Sequence, residues 1–205
     1  MAVDVFISGA GYSGLLAAYA FAETGLSVQC VDPKRIPDGK SSSPKDHRST
    51  AHLAPTVHFF EELGIWKYLV DDAEPLAALR VIDTYNRNGN IEVRTDKSFL
   101  AHDINNQQFG FNVALNTSKK VLGQLVQEHP KIDLQLGKKV CDIKQNFQSV
   151  DVILSNGEQI EARLLVGADG RDSFVREKVG LPVKRFSLSQ DALAFTVEHA
   201  RSHES

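Results

Sequence analysis

Val3-Asp4-Val5-Phe6-Ile7-Ser8-Gly9-Ala10-Gly11-Tyr12-Ser13-Gly14-Leu15-Leu16-Ala17-Ala18-Tyr19-Ala20-Phe21 is the stretch that decides the fold. Residues 3–8 read as a buried strand, the glycines at 9, 11 and 14 as a tight turn, and residues 15–21 as the following helix. Strand, glycine turn and helix in that order distinguish a nucleotide-binding turn from a chance glycine spacing. Gly9 permits the bend, Gly11 lets the backbone approach a pyrophosphate, and Gly14 lets the helix pack closely on the strand. Ser13 sits within the same turn. Amides left over at the helix start face the phosphates. Hydrogen bonds to a charged group are worth roughly 1.5–3 kcal/mol each, against about 0.3–1 kcal/mol for the helix dipole. Amide geometry therefore outweighs the dipole.

Working outward, Ser27-Val28-Gln29-Cys30-Val31 reads as a second strand ending at Asp32. Asp32 stands eighteen residues after Gly14, close to the offset of about 20 at which an acid accepts ribose hydroxyls. A carboxylate there repels a 2′-phosphate, so NADP is disfavoured at this turn and FAD or NAD remain. At the far end, Ala162-Arg163-Leu164-Leu165-Val166 runs into Gly167-Ala168-Asp169-Gly170. A largely apolar strand ending in such a turn suits the interior of a parallel sheet, whose carboxyl edge gathers ligands. The fold class expected is α/β, a Rossmann-like domain with a parallel sheet.

Composition excludes several functions. With 42% hydrophobic and 24% charged residues over 205 positions, the chain is that of an ordinary globular protein. A net charge of −3 gives no electrostatic case for nucleic acid. Cys30 and Cys141 both lie in apolar, strand-like stretches and are expected as two buried, reduced thiols. The start carries no basic leader or apolar signal segment, and no stretch is long enough to span a membrane, so a cytoplasmic location is expected. Peripheral membrane association stays open. The seven histidines are scattered without metal spacing, and no nucleophile elbow is present.

Between the two turns, residues 33–46 read as a polar, proline-punctuated loop, and residues 49–70 as helical, with Phe59, Phe60, Leu63, Ile65, Trp66 and Leu69 as core candidates. Residues 79–85 and 91–94 flank Asn88-Gly89 as a hairpin. Residues 109–114 form a short strand, Thr117 or Ser118 caps a helix to Glu128, and strands follow at 132–135, 138–144, 150–154 and 160–166. Residues 173–179 form a short helix, and Ala192–Val197 a lone strand with no downstream partner.

With these residues in view, the chain resembles the class A flavoprotein monooxygenases, the para-hydroxybenzoate hydroxylase-like family, and within it the ubiquinone-biosynthesis hydroxylase branch. Four stretches carry the likeness: Gly9 to Gly14 with Asp32; Arg48-Ser49-Thr50-Ala51 through Thr56 to Leu63-Gly64-Ile65-Trp66; Gly167-Ala168-Asp169-Gly170 through Arg176; and Gln190 to His199. The third is the most specific. The resemblance implies that Gly9, Gly11, Ser13 and Gly14 hold the FAD pyrophosphate and Asp32 the adenosine ribose. It implies that Arg48 reaches the flavin's phosphate and ribityl side, and that Asp169 and Gly170 help fix the flavin. The plainer reading of Arg48 is a solvated loop charge, and that of Asp169 a turn-former.

The implied activity is hydroxylation of a phenolic ring, in the ubiquinone-precursor class, with FAD as cofactor and NAD(P)H and O2 as co-substrates. The flavin carries the oxygen chemistry, so no acid–base residue is singled out. The sequence departs from the family in three places. Asp32 stands where glutamate is more usual, no basic residue opens the helix near Asn116 before Lys119, and no Gly-Asp dipeptide occurs. The family's second flavin motif is therefore missing, and the resemblance implies the N-terminal part of a longer enzyme. The expected organisation is an FAD-binding domain at residues 1–75 and 99–180, a hairpin at 76–98 contributing to a substrate domain, and the start of that domain at 181–205. Three other readings stay open: a reductase or oxidase of the same fold, an NAD-dependent dehydrogenase, and a non-catalytic nucleotide-binding module. Association with a biosynthetic complex also stays open.

Overall fold

A computed structural model describes residues 2–34, 48–104, 108–188, 191, 193 and 200. In chain order the elements are β1 (Ala2–Ser8), α1 (Tyr12–Glu23), β2 (Val28–Asp32), β3 (Ser49–Leu53), α2 (Ala54–Glu62), β4 (Ala73–Pro75), β5 (Ala78–Arg87) and β6 (Asn90–Leu100). They continue with β7 (Gly110–Ala114), α3 (Leu115–Glu128), β8 (Ile132–Leu136), β9 (Val140–Gln145), β10 (Val150–Leu154), β11 (Gln159–Gly167) and α4 (Phe174–Lys178). The expected strand at Ala192–Val197 lies outside the described residues.

Contacts divide the chain into two units, 1–46 with 116–193, and 47–115 with 194–205. In the first, six strands run in the order β8-β2-β1-β11-β10-β9. β8, β2, β1 and β11 are parallel neighbours, while β11, β10 and β9 form an antiparallel meander. β1 is central because it can be buried on both faces: Val5, Phe6 and Ile7 are all fully enclosed. Phe6 and Val31 share one core with Val140, Val150, Val152, Leu154, Ile160 and Ala162 of the meander. Full burial of an aromatic the size of Phe6 contributes about 1.5–3 kcal/mol. α1 packs against β1, β2 and β8.

β11 is less enclosed than its sequence suggests. Its first half pairs with β10 as far as Ala162, and β1 pairs along it to Gly167. Beyond Ala162, no described strand pairs with the edge away from β1, and Leu164 is 45% exposed. A cleft of about 640 Å³ runs along this edge, lined by Ile143, Phe147, Leu164, Leu165, Val175 and Val179.

In the second unit, β3, β7 and β4 make a three-stranded antiparallel sheet, and β5 and β6 a separate hairpin. Asn88 and Gly89 take φ of 53° and 88°, the paired positive values of a type I′ turn. This unit takes in residues 47–115. The reason is β7, which draws the segments on both sides of the hairpin into one sheet.

Three local expectations are corrected. Residues 49–53 form a strand rather than the start of a helix, because Pro55 lacks an amide hydrogen and cannot sit inside one. The helix begins at Ala54, with Pro55 in its first turn. Of the proposed core residues there, Phe60, Ile65 and Leu69 are buried, Leu63 and Trp66 are half-buried, and Phe59 is 40% exposed. α3 starts at Leu115, whose amide donates to the Arg48 carbonyl at 3.0 Å, so Ser118 is buried inside the helix rather than capping it. Cys30 is buried as expected, but Cys141 is exposed on β9, the outermost strand of the sheet.

Candidate functional site

The site is built where β1, β2 and β11 end together. Parallel pairing sets Ser8 opposite Gly167, and the Ala168 amide donates to the Ser8 carbonyl at 2.8 Å. The glycine turn and the Asp169 turn therefore abut. Gly9 takes φ +108°, and a Cβ there would lie 2.4 Å from the Ala168 carbonyl oxygen and 2.9 Å from the Asp169 Cα. Only glycine tolerates both the dihedral and the approach. A Cβ on Gly14 would lie 1.8 Å from the Gly9 carbonyl oxygen, so α1 packs tightly onto the turn.

The start of α1 is open to an anion. Its N-cap, Gly11, offers no side chain, and its first turn contains no acid. The first helical hydrogen bond runs from the Leu15 amide to the Gly11 carbonyl at 2.9 Å, so the Ser13 and Gly14 amides have no acceptor within the helix. A Cβ on Gly11 would meet no atom within 4 Å, so space lies directly over the backbone. Ser13 is exposed on this first turn. This cradle, which a side chain would fill, fits a pyrophosphate.

Asp32 closes the neighbouring side. Its Oδ2 accepts from the Ala10 amide at 2.8 Å and its Oδ1 from the Lys34 amide at 2.7 Å. A cavity of about 540 Å³ is lined by Ser8, Gly9, Asp32, Lys34, Cys141 and Asp169, among others. That volume is within the usual range for a small-ligand site. Below it, burial and then the Asp32 charge push the Cys30 thiol up to about 12. Sequence reasoning did not single out Lys34 or Lys139 as cavity residues. The Asp32-Pro33-Lys34 turn was legible as an Asx turn, but Lys139 reaches the cavity only through sheet pairing.

Asp169 does two things at once. It lies in the turn against Gly9, and its carboxylate is directed into the start of α4. Oδ2 accepts from the Val175 amide at 3.0 Å, Oδ1 accepts from the Ser173 hydroxyl, and Ser173 Oγ accepts from the Arg176 amide at 3.0 Å. Gly170 follows with φ +89°. Gly9, Gly11, Ser13, Gly14, Asp32, Asp169 and Gly170 are thus brought into one unit. Arg48 belongs to the other unit, just before β3. Among the described residues no cluster has the makeup of a metal site.

Known proteins share this fold. The model of a family described as FAD binding domain matches residues 2–203. Ubiquinone hydroxylase UbiL of Rhodospirillum rubrum is 30% identical over 202 residues, covering 98% of this chain and 44% of that protein. The 3-demethoxyubiquinol 3-hydroxylase of Escherichia coli is 26% identical over 196 residues, covering 95% and 48% respectively. The crystal structure of p-nitrophenol 4-monooxygenase PnpA from Pseudomonas putida DLL-E4 superposes with a TM-score of 0.67 at 22% identity, covering 87% of this chain and 44% of that one. The chain spans about half the length of these relatives.

Proposed function

The chain belongs to the FAD-binding domain family, and from that premise we propose that it forms the nucleotide-holding part of an FAD-dependent monooxygenase that hydroxylates a phenolic ring with NAD(P)H and O2. The ring class suggested by the relatives' names is a ubiquinone precursor. One observation carries the reading: Gly9 and Ala168 are in backbone contact beside the Asp32 carboxylate, so two distant turns converge on one pocket. When bound, FAD supplies the redox and oxygen chemistry.

The chain's own residues bind and orient. Ser13 and Gly14 present backbone amides to the pyrophosphate, Gly11 leaves the space for it, Gly9 makes the bend that brings them there, and Asp32 accepts from the adenosine ribose. Asp169 and Gly170 shape the flavin side of the pocket, and Arg48 reaches the flavin's phosphate and ribityl side. In this reading the FAD-binding part comprises residues 1–75 and 99–180, the hairpin at 76–98 contributes to the substrate domain, and residues 181–205 begin it. No helix among the described residues is long and apolar enough to cross a membrane. We place the protein in the cytoplasm, in peripheral contact with a membrane or a biosynthetic complex.

Titration of the 205-residue chain with FAD and with ADP, followed by flavin absorption and calorimetry, tests the proposal. Binding of both, weakened by Asp32→Ala, is expected. Failure of the unaltered chain to bind either would refute it.

A further inference from the structure

We infer that Asp32 is a positioning residue for the glycine turn itself, in addition to being the ribose acceptor that its place in the sequence suggests. The inference rests on the proposed nucleotide site. The peptide joining Gly9 to Ala10 is gripped at both ends. Its N–H, the Ala10 amide, donates to Asp32 Oδ2 at 2.8 Å. Its C=O, that of Gly9, faces the Cα of Gly14 closely enough that a Cβ would overlap it, and it accepts from Cys30 Sγ at 3.8 Å. One bond earlier, the Gly9 amide donates to the Val31 carbonyl at 2.7 Å. The last two residues of β2 therefore hold two consecutive amides of the turn.

This has a consequence for the anion. A peptide at a glycine with φ +108° has alternative orientations open to it. A flip would turn the Gly9 carbonyl toward the Asp32 carboxylate and the Ala10 amide away from its acceptor, changing the backbone that leads into Gly11 and the phosphate cradle. The charged hydrogen bond from Asp32 opposes that flip. The same carboxylate is steadied from the other side by the Lys34 amide at 2.7 Å. A carboxylate offers about four lone-pair sites, so two remain for ribose hydroxyls after both amides are served. Phosphate turn and ribose contact are thus coupled through one side chain.

Two measurements on the 205-residue chain test this. The first is amide hydrogen exchange, by NMR, without nucleotide. Asp32→Ala is expected to speed exchange at Ala10 by about tenfold or more, while the Ile7 and Cys30 amides stay protected. The second is calorimetric binding of ADP and of 2′,3′-dideoxy-ADP, which has no ribose hydroxyls. Asp32→Ala is expected to weaken both by about tenfold, and Asp32→Glu to restore the dideoxy affinity. Unchanged Ala10 exchange overturns the inference. So does a loss confined to ADP, with the dideoxy compound bound equally well by both proteins. If the unaltered chain bound neither nucleotide, the functional reading would fail while Ala10 exchange still decided the positioning role. Should Asp32→Ala not fold, Asp32→Leu, close to the carboxylate in size and shape but without an acceptor, is read by the same criteria.

Discussion

Replacing Gly14 with alanine sets two effects against each other. Within a helix, alanine is favoured over glycine by about 1 kcal/mol. Here the added Cβ would lie 1.8 Å from the Gly9 carbonyl oxygen, 2.9 Å from its carbon and 3.3 Å from the Ala168 Cβ. The nearest of these is backbone, so no side chain can rotate away. Relief requires α1 to shift off the turn, and overpacking of this kind costs about 1–3 kcal/mol, occasionally more. Taking the upper end of that range, the net loss is about 2 kcal/mol. For a protein of this size each kcal/mol lowers Tm by about 2–4 °C, so Gly14→Ala should melt about 4–8 °C below the unaltered chain in scanning calorimetry. Gly11→Ala is the matched control. Its Cβ meets nothing, its φ of −72° suits any residue, and its Tm should move by less than about 2 °C. ADP affinity of Gly11→Ala should still fall, by about tenfold, because the methyl enters the space over the phosphate cradle. A Gly14→Ala protein melting at or above the unaltered Tm would refute the packing argument.

Ser173→Ala removes the N-cap of α4 and a donor to Asp169, and should cost about 1–2 kcal/mol by urea unfolding. The Asp4 carboxyl is lowered from 3.8 to about 2, first by the Ser27 amide, then by the Ser27 hydroxyl and Arg163. Because the folded value is the lower one, its stabilisation is complete above the unfolded value and is lost as pH falls from about 4 toward 2. Asp4→Asn should flatten that part of the acid unfolding profile, and an unchanged profile would contradict the assignment. Thiol titration of the native chain should find Cys141 reactive and Cys30 inert at neutral pH, with both reacting after unfolding.

Much of the first unit is legible in the sequence because its signals are local. The run at 3–8, the glycines at 9, 11 and 14, and the acid at 32 each reflect a requirement met within a few residues: burial on both faces, positive φ, close approach. The Asn88-Gly89 hairpin is of the same kind. The departures are mostly of the opposite kind. Cys141 reads as buried, yet β9 is an outermost strand, and edge position is not written in a strand's own residues. Residues 49–53 read as helix because their strand partner lies some sixty residues away, at Gly110–Ala114. Pro55 is the local signal that argues against it. Leu164 and Leu165 read as interior although the edge beyond Ala162 has no described partner.

By itself, then, the sequence determined the strand–turn–helix unit, the sites of its glycines and the acid that follows, since each answers to short-range sterics and backbone conformation. Only the tertiary structure decided that Ser8 stands opposite Gly167, that Ala168 closes on Gly9, and that Asp32 grips the Ala10 amide. Those contacts depend on the register of strands far apart in the chain, and register is chosen by the packing of the whole sheet, not by any one segment.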